Sequence, residues 1–317
     1  MNVMLPQKVA TQLAVGKSGA DLLAAVPESS VWLANFTSDR TRRTYRLAIS
    51  EFVTAMEIVD ENDWRTIRPA HAIAWREAMH SQGMSKRTIH TRLSALSSLF
   101  KHLCEKQVVR ENPVRGVKRP KVATDQVASV VLTRKQALRL LQAPSKNTTR
   151  GLRDRAILAT FLYTGVRIES VCRLKVEDFF EDGGYMVLEF DVKGGRKKRV
   201  AINQEHQAAL KRYLAASGHG DRKANPLFLG KRRKDKSAHL TQRFVRMMLK
   251  KYARQVGLSE KVTPHSTRAT FITEALNAGV PIEQVQDTVD HKNITTTKMY
   301  DKRRVSYRES ATFRVHY

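Results

Sequence analysis

At 317 residues the chain is long enough for two ordinary domains, each with its own core. Its 57 Lys and Arg outnumber 30 Asp and Glu for a formal net charge of +27, a surplus that argues for a polyanionic partner, of which nucleic acid is the commonest. No apolar run approaches the length of a membrane span, and neither an amphipathic anchor nor a lipidation signal is found, so a membrane partner is not expected.

In chain order, residues 1–28 show no strong period and are expected to form a mobile tail. Pro6, Gln7, Lys8 and Lys17 are scattered through this stretch, which argues against a signal peptide, and the expected location is cytoplasmic, at the nucleoid. A helical pattern begins at Val31 and runs through Trp32, Leu33, Phe36, Tyr45, Leu47, Ile49 and Phe52. A second helix follows Pro69 with Ile73, Trp75 and Met79. A third starts at Ser85 and repeats apolar residues from Ile89 to Leu103. Asn112-Pro113 closes this helical unit of residues 29–114. Residues 115–129 carry Lys, Arg and Val around Pro120 with no apolar period, the composition of an extended basic linker.

The second domain, residues 130–317, opens at Leu132-Thr133, with Thr133 as N-cap. An apolar helix from Arg153 to Tyr163 is closed by Gly165, and Arg167 follows directly. Residues 185–192 alternate like a strand, Gly194-Gly195 signals a tight turn, and residues 199–202 return, which puts Lys193 at the mouth of a hairpin. The run Lys231-Arg232-Arg233-Lys234-Asp235-Lys236 is strongly basic. A helix over residues 241–256 carries Phe244, Met247, Met248 and Tyr252 on one face. The expected class is mainly α with a small β-sheet. Charge is uneven, with 19 basic and 12 acidic residues up to position 125 and 38 and 18 beyond it. The C-terminal part is therefore expected to hold a phosphate backbone more tightly. Cys104 and Cys172 sit in apolar helical contexts and read as buried hydrophobes. Neither they nor the dispersed histidines have the spacing of a metal site, so no metal and no cofactor is expected.

The stretch 263–300 is the most informative. Thr263 suits an N-cap and Pro264 the first helical position. His265 and Arg268, three apart, then project from one face of a helix start, where unpaired N–H groups already favour a phosphate. Gly279 and Pro281 end that helix and start another through Ile282, Val285 and Val289 to Asp290-His291. Thr295-Thr296-Thr297 begins a last short helix before Tyr300. An H-x-x-R quartet alone is weak. The full order, Thr164-Gly165-Val166-Arg167, the Lys193 hairpin, His265, Arg268, His291 and Tyr300, is specific.

In that order the chain resembles the tyrosine recombinases, or phage integrase family, over nearly its full length, from about residue 29 to about residue 304. The resemblance implies a helical N-terminal core-binding domain (SAM-like) and a mixed α/β catalytic domain, closing on DNA as a C-shaped clamp. It implies that Arg167 and Arg268 hold the scissile phosphate and that His265 and His291 hydrogen-bond it or move protons. Lys193 would then be the general acid and Tyr300 the nucleophile. Chemistry agrees with those types. A phenol is protonated near neutral pH and needs positive charge or a base beside it, and arginine's planar fork binds two phosphate oxygens without losing its charge. The implied partners are double-stranded DNA with inverted-repeat core sites, a homotetramer on that DNA, and accessory DNA-bending proteins. Arg42, Arg43, Lys86, Arg87, Arg92, Lys231, Arg232 and Arg233 are the candidate DNA contacts, and the tail after Tyr300 is a candidate for docking on a neighbouring protomer.

Bland readings stand beside these. A lone arginine after a helix end is usually a surface charge, turn lysines are common, and Arg196, Lys197 and Lys198 rival Lys193. Residues 267–290 also read as a helix-turn-helix of a non-catalytic DNA-binding regulator, although such a binder has no need of Tyr300. A topoisomerase would use the same covalent chemistry. The chain departs from the family pattern in the order of Glu169-Ser170, in Ala269 where many members have His, and in Asp290 where Gly is frequent.

Overall fold

Helices α1 (Glu28–Ala34), α2 (Asp39–Ala55), α3 (Pro69–Ser81) and α4 (Lys86–Glu105) build the N-terminal part. The computed structural model describes residues 26–121, 129–192, 195–230 and 239–300, and the chain divides into two units, Met1–Ala123 and Thr124–Tyr317. The helical pattern that starts at Val31 is two helices, because Ser38 caps a new one by accepting from the Thr41 N–H at 3.3 Å. Pro69 opens α3, and Ser85 opens α4 by accepting from the Thr88 N–H at 3.1 Å. Ile89, Leu93, Leu96, Leu99, Phe100 and Leu103 form the buried stripe of α4. Around them Phe52 meets Trp75 edge-on at 5.0 Å and Trp64 meets Phe100 at 5.6 Å. Leu47 and Ile73, assigned to the apolar faces by periodicity, are exposed, since the stripes run through Ala48, Ile49 and Phe52 and through Ala72, Trp75 and Met79. Val114 and Val117 join the same core. Arg76 Nη1 donates to the Lys118 carbonyl at 2.8 Å and Arg119 Nη1 to Ser94 Oγ at 2.9 Å, so residues 114–119 lie against this unit.

The C-terminal unit runs α5 (Arg134–Gln142), α6 (Thr149–Thr164), α7 (Ile168–Arg173), β1 (Phe179–Asp182), β2 (Tyr185–Val192) and β3 (Arg196–Ala201). It continues with α8 (Gln204–Ser217), α9 (Gln242–Gln255), α10 (Pro264–Asn277), α11 (Ile282–Thr288) and α12 (Ile294–Lys298). The sheet is antiparallel in the order β1-β2-β3, with Phe179 opposite Leu188 and Val187 opposite Ala201. Strand β1 was not anticipated. Its signal is Phe179-Phe180 ahead of Gly183-Gly184, both at positive φ (57° and 81°), which turn the chain into β2.

Helix α6 is apolar from Ala156 to Leu162 and packs on α8 and α10. Helix α9 buries Val245, Met248, Leu249 and Tyr252, while Met247 points outward, 61% exposed. Val245 takes the place that periodicity gave to Met247. The charged pair inside this core is satisfied: Arg153 donates to Asp154 Oδ1 at 2.8 Å from Nη2, and Tyr252 donates to Asp154 Oδ2 at 3.0 Å. A separate smaller cluster joins Ala269, Ile272, Leu276, Val285, Val289 and Tyr300. Polar bonds hold α10 there, since Thr270 Oγ1 accepts from the Leu132 N–H at 2.9 Å. Among the described residues no helix is long and apolar enough to cross a membrane.

Candidate active site

Helix α6 ends at Thr164, where Gly165 turns left-handed (φ 60°) and donates its N–H to the Phe161 carbonyl at 3.1 Å. A Cβ at Gly165 would lie 2.5 Å from Phe271 Cδ1, so both the φ and the space require glycine. Arg167 follows in extended backbone before α7. Its side chain is 43% exposed and donates from Nη1 to Asp290 Oδ2 and from Nη2 to the Asp290 carbonyl, both at 2.8 Å.

At the start of α10 Ser266 Oγ accepts from the Thr263 N–H at 3.1 Å, and Pro264 occupies the first turn. His265 is exposed on that turn, and Arg268 is buried, 3% exposed. Arg268 donates from Nη1 to the Gly165 carbonyl at 2.7 Å and from Nη2 to the Val289 carbonyl at 2.6 Å. One guanidinium thus ties the turn before Arg167 to the turn before His291. Guanidinium carries five donors, so these two bonds leave capacity for an anion. Burial, with Arg167 adding to it, lowers the Arg268 pKa to about 10, and the group stays cationic at neutral pH.

His291 is buried. Its Nδ1 pairs with Thr297 Oγ1 at 2.9 Å, its N–H donates to the Gln286 carbonyl at 3.1 Å, and Gln286 Nε2 donates to its carbonyl at 2.9 Å. Burial first, then Arg268 and Arg167, push its pKa down to about 3, so the imidazole is neutral at physiological pH. The Tyr300 ring stacks on it, 5.5 Å between centroids and 22° between planes. Thr273 Oγ1 donates to the Tyr300 carbonyl at 3.0 Å and pins that residue to α10.

Asp290 has φ 52°. The left-handed backbone explains why glycine suits this position, and aspartate tolerates it better than most residues. Its Oδ1 accepts from Arg196 Nη2 at 3.3 Å, which brings the β2–β3 hairpin to the site. Lys193 itself lies outside the described residues. Of its rivals, Lys197 pairs with Glu189 at 2.7 Å and Lys198 with Asp287 at 2.5 Å, and Arg196 is the one that reaches Asp290. Glu169 turns to Arg173 at 2.6 Å, and Ser170 Oγ donates to the Asp191 carbonyl at 2.9 Å, so this reversed pair braces α7. Asp178 Oδ2 accepts from the Lys175 N–H at 2.8 Å, and burial raises its pKa; it shapes the entry to the sheet.

The candidate DNA contacts divide. Arg43, Lys86 and Arg87 are exposed. Arg42 donates to the Phe36 carbonyl at 2.6 Å, and Arg92 grips Glu51 with Nε and Nη2, so these two are tied into the helical unit. Lys231, Arg232, Arg233 and the tail beyond Tyr300 lie outside the described residues. In a helix-turn-helix reading α11 would be the reading helix. It exposes Glu283, a carboxylate that repels a phosphate backbone, and its Asp287 is already taken by Lys198.

Sequence reasoning named Arg167, Arg268, His291 and Tyr300 in segments far apart in the chain, and the fold brings them together. It missed Asp290 as a partner of Arg167. The departure from glycine was the available signal.

The model of the phage integrase family matches residues 130–306, and that of the phage integrase N-terminal SAM-like domain matches residues 29–107. The chain belongs to this family, and it is a tyrosine-type site-specific DNA recombinase. Among its relatives, the tyrosine recombinase XerC of Thermodesulfovibrio yellowstonii is 29% identical over 269 residues, covering 83% of this chain and 85% of the relative. XerH site-specific recombinase, solved bound to difH substrate as a pre-cleavage complex, superposes with a TM-score of 0.69 at 20% identity, over 93% of this chain and 86% of that one. Lambda integrase, solved as a tetramer bound to a Holliday junction, gives 0.67 at 17% identity, over 87% and 75%.

Proposed function

We propose that the chain cuts and rejoins DNA through a 3′-phosphotyrosine on Tyr300 and a Holliday junction, with no requirement for metal or ATP. The observation that carries this reading is the tie that Arg268 makes between the turn before Arg167 and the turn before His291, whose ring stacks on that of Tyr300. Tyr300 Oη attacks the scissile phosphorus as its phenolic proton passes to His265, the bond to the 5′ oxygen breaks, and the departing oxygen takes a proton from Lys193. Arg167 and Arg268 offset the charge that builds on the nonbridging oxygens. His265 supplies a further hydrogen bond or proton. His291, kept neutral by its surroundings, contributes a hydrogen bond rather than charge. The phosphotyrosine conserves the bond energy, so a 5′ hydroxyl from another strand reverses the step and releases Tyr300. Two rounds of exchange by a homotetramer on inverted-repeat core sites complete recombination. The lambda integrase tetramer on a junction supports that assembly by analogy of fold.

The test is a nicked suicide duplex carrying the inverted repeats that flank the coding element. Wild-type protein is expected to form a covalent adduct in EDTA, and Tyr300→Phe to bind without forming it. Lys193→Ala is expected to recover on a substrate whose bridging 5′ oxygen is sulfur, since a thiolate leaves without an acid. An adduct on Tyr300→Phe, or a need for magnesium, overturns the reading.

A further inference from the structure

Asp290 binds the residue proposed to bind DNA. Its Oδ2 takes Arg167 Nη1 at 2.8 Å and its Oδ1 takes Arg196 Nη2 at 3.3 Å. Each carboxylate oxygen holds one guanidinium, the pattern two nonbridging phosphate oxygens would satisfy. The Asp290 carbonyl holds Arg167 Nη2 independently, at 2.8 Å, so the side chain can swing away while Arg167 keeps its place. An open hollow bounded by Arg196, Gln286, Asp287, Asp290, His291 and Lys292 adjoins the carboxylate and gives it room to move.

We infer that Asp290 stands in for the DNA phosphate between Arg167 and Arg196, and that DNA displaces it and recruits Arg196 as a further phosphate ligand. The inference rests on the proposed role of Arg167 as a phosphate ligand. A phosphate on Arg167 and the Asp290 carboxylate cannot share one guanidinium edge without two anions in contact, so binding is an exchange. The exchange has a signature. Guanidiniums already neutralised inside the protein add less to the salt dependence of binding than free ones, because each phosphate newly neutralised contributes about 0.9 to the slope of log affinity against log salt.

The experiment titrates a random-sequence 40-base-pair duplex against wild type, Asp290→Asn and Asp290→Gly from low to moderate salt, read by fluorescence anisotropy. Both replacements fit φ 52°, so the site's backbone is kept. Both are expected to bind more tightly than wild type at low salt, by roughly three- to tenfold, as two part-exposed ion pairs no longer compete. Both slopes steepen by about one to two units, and Arg196→Ala in the Asp290→Asn background removes about one unit of that gain. Unchanged affinity and slope in both variants overturn the inference, and so does weaker binding, which would make Asp290 a support for Arg167 in the DNA complex. Failure of the underlying reading looks different: Arg167→Ala would then form the Tyr300 adduct like wild type.

Discussion

The Arg268 guanidinium donates to the Gly165 carbonyl at 2.7 Å across 103 residues of chain. With its second bond, to Val289 at 2.6 Å, it makes Arg268 a structural tie as well as a candidate phosphate ligand. Arg167, by contrast, is anchored at one partner and half exposed.

Alanine at these two arginines is therefore expected to fail in different ways. Arg268→Ala strips partners from two buried carbonyls, at about 1–3 kcal/mol each, and should lower the melting temperature by roughly 10 °C. Arg167→Ala should melt within a few degrees of wild type while losing cleavage. Thermal melts beside suicide-substrate assays separate them. Equal melting temperatures would argue that the Arg268 bonds add nothing to stability.

Gly165→Ala is expected to be among the most damaging single-methyl changes in the C-terminal unit. A left-handed alanine costs about 1–2 kcal/mol, and the 2.5 Å approach to Phe271 Cδ1 adds an overpacking cost of about 1–3 kcal/mol. Melting curves of Gly165→Ala and of Gly165→Ala with Phe271→Leu read this out, and the second change should return part of the loss.

Acid should destabilise the C-terminal unit before most carboxylates titrate. His206 is fully buried, pairs its Nε2 with Thr160 Oγ1 at 2.9 Å, and burial pushes its pKa down to about 3, as it does for His291. In the unfolded chain both take a proton near pH 6.5, and in the fold they do not. Stability is therefore greatest above pH 6.5 and falls progressively toward pH 3. From pH 6.5 to 5 each histidine contributes a loss of at most about 2 kcal/mol. Urea midpoints of wild type and His206→Gln at these two pH values check this, with the variant expected to show the smaller decline.

Limited trypsin digestion is expected to cut first at Lys121. The preceding segment is held, by Arg76 on the Lys118 carbonyl and by Arg119 on Ser94, whereas Lys121 is exposed. Mass spectrometry of the first fragments decides it. A first cut inside residues 150–180 would contradict the division into two units.

Local chemistry was the part of this molecule legible in its sequence. Ser85, Thr133, Thr241 and Pro264 mark helix starts because capping depends on residues only a few positions apart. The flanks of helices were less legible, as Leu47 and Met247 show, since an apolar residue beside the buried stripe fits the same period. The contact between Arg167 and Asp290 spans 123 residues and has no local signature. What could be read at Asp290 was a glycine position without its glycine. The bonds that Arg268 makes to backbone carbonyls were equally hidden, because a carbonyl is present at every residue.

Helix α10 reads as polar and yet is buried, and its threonines account for that. Thr270 meets the Leu132 N–H on one side and Thr273 meets the Tyr300 carbonyl on another, at 2.9 and 3.0 Å. Purely apolar packing would let a cylinder turn a few degrees about its axis at little cost. Two directional bonds to separate segments forbid that rotation, as teeth index a gear. The heading of Arg268 and the perch of Tyr300 are then set by the same shaft, so a displacement of one is a displacement of the other.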